Sequence, residues 1–286
     1  MYSSSVRPDG LTDEGIIESI MKDGNSKIRI KFNKHGLMKY IGHLDTMRYF
    51  QKVIRRSGID AAYSEGFSPH QIMSFAQPLS VGVESNGEYF DLEVKSYTSA
   101  SDMKNKMNET SAEGIEVTDI ALLPEKTPKA MASVEASEYT VVFRPGHEPD
   151  WDISKAVEVF NSASSVKVVK KTKKSEREIE LKDLVHSVII QEKALKDVFP
   201  EGPFSGDIIE DPEKKVPVIH TVLSASSGDN VKPAMLIRAL RDLMVKTDTA
   251  KDQENEEYPG RTELLITREE LFDKNMKPLI EAGSTF

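Results

Sequence analysis

The strongest constraint on this chain is a change of hydrophobic period between residues 27 and 57. From residue 27 to 34, Ile28, Ile30 and Phe32 alternate with Lys27, Arg29 and Lys31. That two-residue rhythm predicts a half-buried strand. A glycine-containing turn follows. Leu44, Met47, Phe50, Val53 and Ile54 then recur at helical spacing as far as Ser57, and Gly58 closes the run, as glycine commonly does at helix ends. Shorter strands are expected near residues 60–63, 72–76 and 88–95, a helix over 99–109 and a strand over 115–122. Apart from one short strand to spare, the order is the β-α-β-β-α-β of the split βαβ, or ferredoxin-like, unit.

Residues 124–136 mix Pro, Lys, Ser and Ala without period and read as a linker. The pattern then restarts, with a strand at 139–143, a helix at 153–160 and a hairpin pairing 166–171 with 178–181. Strands at 186–191 and 216–223, a helix at 233–244 opening on Pro233 and a strand at 261–268 complete it. The predicted fold class is α+β: two ferredoxin-like domains in tandem, over 27–123 and 137–286, the second decorated with insertions. Residues 1–26 read as a mobile leader, in which 13–21 could form a short helix. Residues 193–215 look irregular, and the acidic stretch 246–257 looks loose.

Composition removes whole classes of function. There is no cysteine, so this chain forms no disulfide, no cysteine-held iron–sulfur cluster and no thiol nucleophile. Six scattered histidines show no paired metal-ligand spacing, so neither metal nor cofactor is expected. No apolar run reaches the roughly 18 residues of a membrane span, and the N-terminus lacks a secretory signal pattern, which points to the cytoplasm. A net charge of −9 means that any anion site must be a local patch.

Two such patches stand out. Arg48, Lys52 and Arg55 share one face of the first helix, with Arg56 beside them and Lys39 a possible addition; arginine forks suit phosphate. The loop Glu65-Gly66-Phe67-Ser68-Pro69-His70 offers a ring to stack on a base and a titratable donor. It reads equally as a tight turn whose Phe67 plugs the core. His43 and Asp45 sit at the helix start, where Asp45 would cap free N–H groups. His43 and His70 could form an acid–base pair, as a metal-independent ribonuclease would require. Lys167, Lys170, Lys171, Lys173 and Lys174 gather on the hairpin, as an RNA contact or as a charged edge guard. Residues 224–230 read as a turn before the Pro233 helix.

The ordered strings Ile41-Gly42-His43-Leu44-Asp45-Thr46-Met47-Arg48, Ile54-Arg55-Arg56-Ser57-Gly58, the Glu65–His70 loop and Gln77-Pro78-Leu79-Ser80-Val81-Gly82-Val83-Glu84-Ser85 resemble the radical-SAM-associated protein family, whose function is unknown. A weaker similarity runs on through residues 261–272. The same strings are distantly similar, at the level of fold, to CRISPR repeat-processing endoribonucleases. The resemblance implies a non-catalytic accessory of a radical SAM enzyme in a tRNA or rRNA context. RNA would then be held by Arg48, Lys52, Arg55, Arg56, Phe67, Ser68 and His70. An adaptor that docks the enzyme without touching RNA is the alternative, and an endoribonuclease using His43 and His70 the third.

Overall fold

The computed structural model describes residues 25–171, 176–198, 211–245, 259 and 263–286. The expected leader with its 13–21 helix, Lys173 and Lys174, residues 199–210 of the irregular stretch, the acidic stretch 246–257 and the 261 start of the last strand lie outside the described residues.

The first half contains β1 (Ser26–Lys34), α1 (His43–Arg56), β2 (Met73–Phe75), β3 (Glu84–Val94), α2 (Ala100–Glu109) and β4 (Ile115–Leu122). A short helix α3 (Ala130–Ser133) leads to β5 (Ala136–Phe143), α4 (Ile153–Ser162) and the hairpin β6 (Lys167–Lys171) and β7 (Glu176–Glu180). β8 (Val185–Ala194), α5 (Leu195–Val198), β9 (Lys215–Ser224), α6 (Pro233–Met244) and β10 (Leu264–Phe272) follow. The fold is α+β. Its strands form one mixed eight-stranded sheet in the order β4-β1-β3-β10-β5-β9-β8, with β2 also on β3 and the β6–β7 hairpin separate.

A shared strand edge makes the sheet continuous. Met73 to Phe75 pair antiparallel with residues 90–92 of β3. Further along the same edge, Glu84 and Ser85 pair parallel with Thr267 and Arg268 of β10. Gly87 lies where β10 passes: a Cβ there would stand 2.6 Å from the Glu269 carbonyl oxygen and 2.8 Å from Glu270 Cα, so only glycine fits the close approach.

The long helices α1, α2, α4 and α6 cover one face of the sheet. Ile28, Ile30 and Phe32 pack against Phe50, Val53 and Ile54 of α1 and Met103 and Met107 of α2, and burying each large side chain contributes roughly 1.5–3 kcal/mol. Val141, Phe143, Phe160, Leu236 and Leu240 form the equivalent core of the second half. Residues expected as a linker are packed instead: Ala130 and Val134 join Ala76, Tyr89, Leu271 and Leu279 in a small core. The Ala130 N–H donates to Asp91 Oδ2 at 2.7 Å, which ties the segment to β3.

That small core accompanies a layer of buried charge. Arg29 donates to Asp91 at 2.8 Å and to the Leu279 carbonyl at 3.1 Å. Lys31 reaches Glu270 at 2.6 Å, which also accepts from the Tyr89 hydroxyl. Arg268 donates to Glu88 at 2.8 Å and to the Gln77 carbonyl at 2.9 Å. These bonds join β1, β3 and β10 and satisfy groups that would be costly to bury alone.

Candidate nucleic-acid interface

Helix α1 positions the first set of side chains. Its buried residues are Thr46, Phe50, Val53 and Ile54. Leu44, predicted for the apolar stripe, is 64% exposed, and Thr46 takes the inner place with its hydroxyl bonded to the Gly42 carbonyl. The cap also differs from expectation. Gly42 is the N-cap without a side-chain bond, and Asp45 accepts from Arg48 at 3.2 Å instead.

On the outer face, Arg48, Lys52, Arg55 and Arg56 are exposed. The Arg48–Asp45 pair is open to solvent and holds Arg48 only weakly. Lys52, Arg55 and Arg56 make no ion pair or side-chain hydrogen bond with any described residue. Lys39 does not join them: it is buried and donates to Glu84 at 2.9 Å.

The loop after α1 is rigidly closed at its base. Tyr63 bridges to Gln71. The Ser64 N–H donates to the His70 carbonyl at 2.9 Å, and the His70 N–H donates back to Ser64 Oγ at 3.1 Å. His70 Nδ1 lies 2.9 Å from the same hydroxyl. Gly66 adopts φ +107°, a conformation that glycine alone reaches readily. Phe67 at the tip is fully exposed. The core-plug alternative is therefore overturned: the clamp turns the ring outward, away from every core cluster. Glu65, Ser68, Pro69 and His70 are exposed around it.

The structure does not join His43 to His70 by a hydrogen bond. His70 is engaged with Ser64. The His43 ring packs edge-on against Phe75 at 5.6 Å and lines a small recess with Lys34, Gln77 and Glu88. Burial lowers the His43 pKa, opposed by Glu88 and aided by Lys34. Lys34 is 2% exposed and donates to the Ile41 carbonyl at 2.8 Å, and burial also holds its pKa below the usual lysine value. Lys34 and Glu88 are not among the sequence candidates, because residue type alone reads a charge as outward. The signal lay in the register: Lys34 falls in step with Ile28, Ile30 and Phe32, and Glu88 with Phe90 and Leu92.

Two of the hairpin lysines, Lys167 and Lys170, are engaged. Lys167 pairs with Glu178 at 2.9 Å and Lys170 donates to the Asn230 carbonyl at 2.8 Å. Residues 224–230 form a turn closed by an Ala225–Asn230 bridge, and Asp229 there pairs with Arg177 at 3.0 Å. Among the described residues, no group of three or more His, Asp or Glu side chains is placed to hold a metal ion. No helix among them is long and apolar enough to cross a membrane.

Residues 27–233 match a family model described as an uncharacterized protein conserved in bacteria (DUF2344). No curated protein of similar sequence was found. Among solved structures, the crystal structure of a Cbf5-Nop10-Gar1 complex aligns with a TM-score of 0.41 at 10% identity, covering 95% of this chain and 56% of that one. This chain thus spans about half of the matched chain's length, and a likeness so distant carries no functional inference.

Proposed function

We propose that this chain, which belongs to the bacterial DUF2344 family, is a non-catalytic cytoplasmic accessory that binds RNA beside a radical SAM enzyme. The observation that carries the RNA reading is a fully exposed Phe67 on a clamped loop, next in the chain to a helix with three cations that have no partner among the described residues. Aromatic stacking combined with positive charge is how proteins hold RNA. The enzyme partner rests on the resemblance of residues 41–48 and 65–70 to radical-SAM-associated proteins. Lacking cysteine, the chain would leave the cluster chemistry to that partner.

We also read each half as one ferredoxin-like unit. The strand orders β4-β1-β3-β2 and β10-β5-β9-β8 have the same antiparallel plan, with the β6–β7 hairpin inserted in the second. On this reading the RNA surface lies on the first unit, along α1 and the loop that follows it. The test is titration of labelled tRNA and rRNA fragments at moderate salt. The double variant Arg55→Ala/Arg56→Ala is expected to bind about ten-fold more weakly, since each cation releases counterions. Unchanged affinity would remove this site.

A second reading, an adaptor that docks the enzyme without RNA, draws on a separate patch. Leu37, Tyr40, Leu44 and Val81 are 80%, 51%, 64% and 59% exposed, and the Gly82 N–H bond to the Lys39 carbonyl brings their loops together. Such a group of exposed apolar side chains suits a protein partner. Binding of a purified radical SAM partner that Tyr40→Asp/Leu44→Asp abolishes, with no affinity for any RNA, would favour the adaptor.

A further inference from the structure

We infer that the α1 and Phe67 surface takes an unpaired nucleotide, so that its ligand class is single-stranded or looped RNA and not duplex. The inference deepens the RNA reading above and rests on it. Its starting point is the ring. Phe67 shows its whole surface to solvent, an arrangement that forgoes the roughly 1.5–3 kcal/mol a buried phenylalanine contributes. The bonds between Ser64 and His70 and the Tyr63–Gln71 bridge hold the loop base closed. Stacking on such a ring needs a base whose π-face is free. Bases inside an A-form helix cover each other's faces, and the deep major groove keeps side chains from their edges.

The cations fit the same ligand. Only residues 57–60 separate Arg56, the last residue of α1, from Ala61, which bridges to Val94 of β3. The chain thus runs from the C-terminal end of α1 to the sheet edge at Ala61 and on to the base of the loop at Tyr63. Lys52, Arg55 and Arg56 on that helix have no partner among the described residues, while Glu65, two residues before Phe67, is acidic and exposed. An aromatic platform on the loop that follows a helix bearing a few cations suits single-strand binding, where each base has a π-face and the backbone follows the charge. A duplex would want a longer cationic track than these few side chains supply. A protein partner with a pocket for Phe67 is the competing occupant, and the cations on an acidic chain argue against it.

The experiment compares a short single-stranded RNA with the blunt duplex of the same sequence, by fluorescence anisotropy on the full chain over a salt series. The expected result is about ten-fold tighter binding of the single strand, with a log–log salt slope of about −2, as three phosphate contacts give on a single strand. Phe67→Leu, which keeps an apolar side chain but removes the π-face, should weaken single-strand binding about ten-fold. Phe67→Trp should keep it. The ring has no core contact, so both variants fold. If duplex binds as tightly as single strand and Phe67→Leu has no effect, while Arg55→Ala/Arg56→Ala still weakens binding, the RNA reading stands and the unpaired-nucleotide inference is wrong. If no RNA binds at all, the RNA reading itself fails. If Phe67→Leu changes only capture of a protein partner, the ring is a protein anchor and the inference is likewise overturned.

Discussion

Two sets of arginines in this molecule have opposite fates. Arg268 is 1% exposed, and its guanidinium meets Glu88, the Gln77 side chain and the Gln77 carbonyl. Arg29 is equally buried, on Asp91 and two backbone carbonyls. Arg55 and Arg56 on α1 are exposed and meet none of the described residues. The chemistry of the side chain is the same in both places. A buried guanidinium must have its donors satisfied, and so it serves the architecture. One left in water without partners is free to meet a ligand.

The sharpest way to break this contrast is Arg268→Ala. It leaves Glu88 buried with only the Ser85 hydroxyl donating to it where β3 meets β10, and should lower the unfolding free energy by about 3–5 kcal/mol in a urea titration. A loss below about 1 kcal/mol would mean that the seam is wetter than its geometry indicates.

A smaller effect comes from the rim of the seam, where His35 contacts Glu84 at 3.4 Å and Asn86 at 2.9 Å. The bond to Glu84 raises the His35 pKa, against burial. Burial pushes the Glu84 carboxyl up, but His35 and Lys39 together bring it down to about 2. The signs follow from linkage. The His35 contribution is complete below its ordinary value of 6.5 and is lost as pH rises through the raised one. The Glu84 contribution is complete above its ordinary 4.5 and is lost as pH falls toward 2. Melting temperature should therefore decline through and above neutrality, and His35→Ala should flatten that decline. A variant profile parallel to the wild type would assign the slope elsewhere.

The smallest stability change belongs to the exposed pair. Arg55→Ala/Arg56→Ala should move the unfolding free energy by no more than about 0.5 kcal/mol while weakening RNA binding. Loss of stability comparable to that of Arg268→Ala would erase the distinction between the two sets.

Much of the framework was legible before any coordinates. The helix 233–244 matches α6 in full, and 115–122 matches β4, because both have a clear period. Strand ends were less visible. β3 begins at Glu84, four residues before the predicted 88, because Ser85, Asn86 and Gly87 carry no strand signature and are held by β10. The candidate site was legible in part. The basic face of α1 followed from helical spacing. Lys39 was misplaced because its tie to Glu84 joins residues 45 apart in sequence. The linker expected at 124–136 failed for a similar reason: its anchor is Asp91 on β3.

By itself, the sequence determined the long strands and helices, the absence of thiol chemistry and the outward face of α1, since period and residue type act locally; it did not show that 60–63 forms only isolated bridges or that short helices sit at 130–133 and 195–198. Tertiary structure alone decided which charges are buried and which way Phe67 points. Arg268 finds Glu88 across 180 residues, and its burial depends on β10 meeting the free length of the β3 edge. Phe67 belongs by type to a core, but the Ser64–His70 clamp closes the loop beneath it and leaves the ring only solvent to face.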